Sequence, residues 1–72
     1  MLLAPVDPPS TDVYAIGYEP MTGELQIQFM SGRIYSYPNF PPTLYAMFAN
    51  APSKGSFVAI YIKKVYPSTR IL

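Results

Sequence analysis

Cysteine and histidine are both absent from this chain of 72 residues, and only four side chains are acidic. Without cysteine the chain has no disulfide and no thiolate nucleophile. Without histidine as well, a zinc or other transition-metal site is not expected, and four carboxylates without a close Asp-x-Asp array do not suit calcium. The upstream glycines of a phosphate-binding loop are also missing. We therefore expect a protein that is not an enzyme and that holds no cofactor or metal.

Length and composition predict a single small domain that is stabilised by apolar burial. Half of the residues are hydrophobic, including seven tyrosines and four phenylalanines. A chain this short buries only about 60% of the surface of its unfolded state, so its margin of stability is small. The first six residues lack the basic start of a signal peptide, and no apolar run approaches the length of a membrane span. We expect a cytoplasmic protein.

Charge is distributed unevenly along the chain, although the net charge is only +1. Every acidic residue precedes position 25 and every basic residue follows position 32. The acids are Asp7, Asp12, Glu19 and Glu24, and the bases are Arg33, Lys54, Lys63, Lys64 and Arg70. Such a separation is typical of a surface that meets a partner. The alternative is that folding lays the first segment beside the last and intersperses the two signs.

The first half of the chain predicts a three-stranded antiparallel meander. Residues 1–11 contain three prolines and are predicted to form an extended arm ahead of a domain that spans residues 12–66. β-Forming residues predict a first strand at 13–18, and residues 25–29 alternate apolar side chains with two glutamines, as a half-exposed strand does. The Ser31-Gly32 turn leads into a third strand at 33–37.

The length of the second hairpin loop decides whether Tyr35 and Tyr37 face the core or the solvent. A two-residue loop pairs Phe29 with Ile34 and places both tyrosines on the exposed glutamine face. A three-residue loop with a glycine bulge pairs Ile27 with Tyr35 and places both tyrosines on the core face. The sequence leaves both registers open. We favour the core version, because a buried tyrosine is the commoner case when helices cover a sheet.

The second half of the chain predicts two short helices packed on one face of the sheet. Pro41-Pro42 suits a helix start, and apolar residues recur at helical spacing from Thr43 to Asn50. Ser53 is a favourable N-cap for the second helix, and Pro67 ends it. Residues 67–72 then form a C-terminal tail. The predicted fold class is therefore α+β.

The second helix is predicted although its residues 58–62 would also pass for a buried strand. The cap before it favours a helix, and so do two lysines in the last turn, where the helix dipole favours cations. On this helix the predicted apolar stripe consists of Phe57, Val58, Tyr61 and Val65, with Ile60 and Ile62 on its flanks. The apolar arc is wide, so part of it is expected to be covered from a second side or by a partner.

The order of short motifs along residues 18–66 resembles one small family. The motifs are Thr22-Gly23, Leu25-x-Ile27-x-Phe29-x-Ser31-Gly32, Tyr35-Ser36-Tyr37, Pro41-Pro42 with Tyr45, and Ala51-Pro52-Ser53-Lys54-Gly55-Ser56-Phe57. Together they are similar to the KTSC domain, which is found at the C-terminus of some lysyl-tRNA synthetases. The resemblance implies a small α+β domain of three antiparallel strands followed by helices, with an RNA-binding role. Residues 58–62 are more apolar than in most members, which weakens that role.

Stand-alone copies of this length are typical of phage genomes, and the chain is also similar to short phage-encoded transcription factors that bind host RNA polymerase. That resemblance implies a non-enzymatic regulator that inhibits host initiation and promotes antitermination. The implied partner is the polymerase, with weak contacts to RNA near its exit channel. No membrane and no small-molecule substrate is expected, and the protein is expected to be monomeric.

The residues expected to contact a partner or RNA combine positive charge with aromatic rings, which suits phosphate contacts and base stacking. They are Arg33, Tyr35, Tyr37, Lys54, Lys63, Lys64 and Arg70. A polymerase ligand would gain affinity from an apolar and tyrosine-rich patch and would direct its exposed bases at acidic groups or at emerging RNA. These bases are Arg33, Lys63, Lys64 and Arg70. One alternative is a small RNA-binding domain that uses the same surface directly. The other is a self-associating structural protein that covers its excess apolar surface by dimerising.

Overall fold

A five-stranded antiparallel sheet with helices on one face forms the fold. The computed structural model describes residues 2–72. Its elements are β1 (Ala4–Pro5), β2 (Val13–Glu19), β3 (Glu24–Phe29), β4 (Ile34–Tyr37), α1 (Pro42–Ala49), α2 (Lys54–Phe57), a π-helical segment (Val58–Ile62) that continues α2, and β5 (Thr69–Arg70). Strands that are neighbours in sequence are also neighbours in the sheet. None of the helices within residues 2–72 has the length and apolar composition that a membrane span requires.

The predicted α+β class is confirmed, but the prediction of three strands is wrong. The predicted meander is present as β2, β3 and β4, and each end of the chain adds one more strand. In the arm, Ala4 pairs with Ile16, and in the tail Arg70 pairs with Tyr35. A three-stranded sheet leaves two open edges whose backbone groups need partners, and the two terminal segments supply them. Met1, the first residue of the predicted arm, lies outside the described residues.

The hairpin between β3 and β4 has a three-residue loop, as the favoured alternative predicted. The Gly32 amide donates to the Phe29 carbonyl at 2.9 Å, and Gly32 has a φ of 93°, which glycine adopts without strain. The Phe29 amide in turn donates to the Arg33 carbonyl at 2.9 Å. Ile27 therefore pairs with Tyr35, so both tyrosines of β4 lie on the core face of the sheet.

The core lies between this face of the sheet and the two helices. Its buried side chains come from the strands, from the loop before α1 and from the helices: Val13, Ile16, Leu25, Ile27, Tyr37, Phe40, Phe48, Phe57, Val58 and Ile62. Phe48 of α1 stacks on Phe57 of α2 with ring centroids 5.2 Å apart. The two predicted helices therefore pack on a single face of the sheet.

The opposite face of the sheet is polar. Glu24 and Gln26 lie on it, and Ser36 of β4 lies beside them. The Ser36 hydroxyl donates to the Glu24 carboxylate at 2.7 Å, and the Gln26 amide donates to it at 2.8 Å. These hydrogen bonds hold the pKa of the Glu24 carboxyl below its usual value. Because the glutamine face carries this network, the helices find their apolar partners only on the other side.

The second helix starts as predicted but changes its pitch. The Ser53 hydroxyl accepts a hydrogen bond from the Ser56 amide at 3.3 Å, so Ser53 is the N-cap. One turn later the Lys63 amide donates to the Val58 carbonyl, five residues back, at 2.8 Å. That bond defines a π turn, which holds more residues than an α turn and rotates the side chains that follow it.

The predicted buried stripe of the second helix is partly wrong for this reason. Phe57 and Val58 are buried, but Tyr61 is 49% exposed and Val65 is 65% exposed. Ile62, which was not in the stripe, is completely buried. The extra residue in the π turn carries Ile62 to the position that α-helical spacing gives to Tyr61. The same rotation fixes where the following lysines point.

Candidate functional site

A cavity of about 590 Å³ opens beside the outer edge of the sheet, where β4 and β5 meet the end of the second helix. We call it the cationic cavity. Its walls are Phe29, Ser31, Arg33, Tyr35, Tyr37, Lys63, Ser68 and Arg70. Five of the seven predicted contact residues are among them. Residues from the second hairpin, from the helix end and from the tail thus form one site.

Three local features bring these side chains together. The three-residue hairpin loop sets the register that places Arg33 directly ahead of β4. The tail returns along β4, so that Arg70 lies opposite Tyr35 in the sheet. Lys63 follows the π turn and reaches the cavity from the helical side. The added edge strand β5, which the sequence did not predict, therefore completes the site.

The electrostatic character of the cavity is uniformly positive. Arg33, Lys63 and Arg70 are all exposed, and none of the lining residues is acidic. The Arg70 Nε donates to the Leu72 carbonyl at 3.2 Å, which leaves the other N–H groups of its guanidinium for a ligand. Because three cations converge and no acidic side chain is among the lining residues, the cavity favours an anionic group.

Tyrosine and serine hydroxyls complete the lining. Burial raises the pKa of the Tyr37 phenol, while the Ser68 hydroxyl lowers it and the nearby Tyr35 adds to the rise. Tyr37 therefore stays protonated and can donate a hydrogen bond. The ring of Phe29 meets that of Tyr35 edge to face with centroids 5.7 Å apart. This contact orients the Tyr35 ring at the cavity wall.

The two remaining predicted contact residues lie elsewhere. Lys54 is only 3% exposed, and its ammonium group donates to the Ala51 carbonyl at 2.6 Å. Lys64 is exposed but does not line the cationic cavity. Lys54 instead ties the start of the second helix to the loop that follows α1. The structure therefore separates the bases into three that converge and two that do not.

Three lining residues were missed by sequence reasoning. Phe29 was assigned to the core side of β3, and it lies at the end of that strand, where the core meets the cavity. Ser31 and Ser68 lie in a loop and in the tail, where single serines carry no sequence pattern. For Ser31 the sequence offered one signal, its position two residues before Arg33. For Ser68 it offered none.

The arrangement suits binding of an anion with an attached ring. Guanidinium and ammonium groups contact phosphate or carboxylate oxygens, and the partly exposed ring of Tyr35 can contact a flat base, whereas the ring of Tyr37 is buried in the core. Within residues 2–72 no three acidic side chains come close enough to hold a metal ion. The lining of the cavity suits recognition of a ligand by charge, hydrogen bonds and aromatic contact.

Comparison with curated proteins shows relatives in which a similar segment is part of a much longer chain. Over 56 residues the chain is 41% identical to the lysine--tRNA ligase of a Nostoc species. It is 38% identical over 56 residues to the lysine--tRNA ligase of Nostoc punctiforme. In both cases the match covers 78% of this chain but only 10% of the ligase. The similarity is thus to one small part of each ligase.

A solved structure covers nearly the whole chain, and a family model covers most of it. The crystal structure of a KTSC domain protein from Yersinia pestis matches with a TM-score of 0.90 and 32% identity, over 99% of this chain and 97% of that one. The model of the KTSC domain matches residues 9–66. The resemblance carried by the Tyr-Ser-Tyr and Ser-Lys-Gly motifs is therefore confirmed, and the chain belongs to the KTSC domain family.

Proposed function

We propose that this KTSC domain is a non-enzymatic, monomeric RNA-binding module that works in the cytoplasm and holds single-stranded RNA at the cationic cavity. The observation that carries the proposal is the convergence of Arg33, Lys63 and Arg70 around two tyrosines, with no acid in the lining. The guanidinium and ammonium groups would donate hydrogen bonds to a phosphate, and the adjoining base would contact the rings of Phe29 and Tyr35.

The shape of the cavity favours single-stranded RNA over a duplex. The cavity is a local depression with aromatic walls, and an unstacked base can enter such a depression whereas a paired base cannot. The relatives from Nostoc are named as ligases that act on a tRNA. The match spans only a tenth of each ligase. That this chain also binds RNA is therefore part of the proposal.

The salt dependence of binding tests the proposal. We expect a labelled single-stranded RNA of about 12 nucleotides, followed by fluorescence anisotropy, to bind with a slope of log K against log salt of about −2. That value corresponds to three cations, each contributing about −0.7 for a single strand. A slope near zero, or no binding at 50 mM salt, would contradict the proposal. A duplex of equal length serves as the control and should bind more weakly.

A second candidate function is binding to host RNA polymerase, with the inhibition of initiation and the antitermination expected of a phage-type regulator. The observation that favours it is the apolar outer face of the second helix. Ile60 and Tyr61 of its π-helical segment and Val65 in the turn that follows are 63%, 49% and 65% exposed. Exposed aromatic and aliphatic side chains on one helix suit the centre of a protein interface.

A pull-down distinguishes this candidate from the first: purified bacterial RNA polymerase, treated with nuclease, is passed over the immobilised domain. Retention on the immobilised domain that is lost in Ile60→Ser/Val65→Ser, but kept in Met47→Ser, would support it. Met47 is 56% exposed and lies on α1, so it is a matched control. Retention that disappears with the nuclease would assign the interaction to RNA. A dimer in light scattering at micromolar concentration would instead support the self-associating alternative.

A further inference from the structure

The cationic cavity is one end of a longer groove along the second helix. A neighbouring cavity of about 360 Å³ shares Phe29, Ser31 and Lys63 with it. A third cavity of about 310 Å³ shares three walls with the second, namely Thr11, Asp12 and Gly55. The three cavities therefore lie in a row along the helix, with Asp12 and Gly55 between the second and the third. From the N-cap to Lys63 the helix rises about 15 Å, at about 1.5 Å per residue.

The far end of the groove has the opposite chemistry to the cationic cavity. Its polar lining consists of the hydroxyls of Ser10, Thr11, Ser53 and Ser56 together with the carboxylate of Asp12. The one cation there, Lys54, is buried and its ammonium faces the Ala51 carbonyl. This end therefore offers no free cation to a phosphate, while its carboxylate attracts a group that donates hydrogen bonds.

The backbone of Asp12 is fixed while its carboxylate is free. The Asp12 amide donates to the Ser10 hydroxyl at 3.2 Å, and the Asp12 carbonyl accepts from the Met30 amide at 2.8 Å. Within residues 2–72 the Asp12 carboxylate accepts no side-chain or backbone hydrogen bond. An acceptor held in place by its own backbone and lacking a protein donor is suited to a donor on a ligand.

Gly55 provides the space that the carboxylate occupies. A Cβ atom at Gly55 would lie 2.8 Å from the Asp12 Oδ2 and 3.4 Å from the Asp12 Cβ. Such contacts are too close, so a side chain at position 55 would move the carboxylate. The glycine of the Ser-Lys-Gly motif thus sets the position of Asp12 as well as the start of the helix.

Resting on the proposed RNA binding, we infer that Asp12 is a specificity-determining residue that accepts a hydrogen bond from the exocyclic amine of a nucleobase. A strand with a phosphate in the cationic cavity can lay a neighbouring nucleotide along the groove towards Asp12. Carboxylates accept from the cytosine N4 amine, whereas uracil has a carbonyl oxygen at the same ring position. The groove therefore selects an amino-bearing base and rejects uracil, although the two pyrimidines have the same size.

Oligocytidine and oligouridine of eight nucleotides, titrated at pH 7 and 50 mM salt, test the inference. We expect the wild-type domain to bind oligocytidine about tenfold more tightly than oligouridine, as one discriminating hydrogen bond allows. In Asp12→Ala the ratio should fall to about twofold or less, because the acceptor is removed. If the carboxylate acted only through its charge, the substitution would strengthen both affinities equally and leave the ratio unchanged.

Two further variants guard against a loss of fold and against a nonspecific charge effect. Gly55→Ala keeps the carboxylate but displaces it, so the ratio should also fall. Asp7→Asn removes an acid of the arm that lies outside the groove, and its ratio should stay at the wild-type value. Equal, salt-sensitive binding of both oligomers by the wild type would overturn the role of Asp12 and leave RNA binding in place. Binding of neither oligomer would overturn the RNA-binding proposal and this inference together.

Discussion

Arg33→Glu/Arg70→Glu is expected to weaken the binding of single-stranded RNA by about two orders of magnitude at 0.1 M salt. Both side chains are exposed walls of the cationic cavity, so the substitutions need not disturb the core. Each reversal removes a charge-assisted contact and adds repulsion, for which about tenfold, or about 1.4 kcal/mol, is a reasonable magnitude. The salt slope should also become shallower by about 1.4, since two of three cations are lost.

The two adjacent lysines provide a matched control for this prediction. Lys63→Glu and Lys64→Glu change the net charge equally, but only Lys63 lines the cavity. We expect about a tenfold loss of affinity for the first and less than about threefold for the second. Equal losses would show that RNA responds to the overall charge and not to the cavity. Far-UV circular dichroism should be unchanged in all three variants.

Phe48→Ala is expected to lower the free energy of unfolding by about 3–5 kcal/mol. Phe48 is completely buried and stacks on Phe57, so its removal leaves a cavity between the helices and the sheet. A domain of this size is stable by only about 4–11 kcal/mol, so the loss is a large fraction of the total. Thermal unfolding followed by circular dichroism should show the midpoint lowered by about 15 °C or more.

The residue before it in α1 is the control for this second prediction. Met47 is 56% exposed, so Met47→Ala should change the free energy of unfolding by less than about 0.5 kcal/mol. Both substitutions introduce alanine into the same helix. The difference between their effects on the free energy of unfolding therefore reflects burial of the side chain and not helix propensity. A loss below about 1 kcal/mol for Phe48→Ala, or equal losses for both, would mean that α1 does not pack as described.

Local patterns were enough to predict the central part of the fold. The alternation in residues 25–29 identified β3 and its buried face, and Ser53 identified the start of the second helix. The edge strands β1 and β5 could not be found in this way. Each has only two residues, and β1 contains a proline, so neither shows a period or a strand composition. They form because the folded sheet offers them an edge to pair with, and that edge depends on tertiary structure.

The sequence predicted which types of residue line the candidate site better than it predicted which individual residues do so. Arg33, Tyr35 and Arg70 were chosen for charge and aromaticity, and they do meet in one cavity. Lys54 has the same formal charge, yet it is buried, because the start of the second helix packs against the end of α1. The orientation of Lys63 depends on a π turn for which the sequence has no recognisable signal. Tertiary packing decides these features, and a single sequence does not show them.

Backbone amide chemical shifts, recorded while an isotopically labelled sample of the domain is titrated with single-stranded RNA, test the central claim most directly. We expect the largest changes at Ser31–Tyr37, at Lys63 and at Ser68–Arg70, with the amides of Glu24 and Gln26 on the polar face of the sheet nearly unaffected. Changes confined to the outer side of the second helix around Ile60 and Tyr61, or no changes at a saturating RNA concentration, would contradict the account.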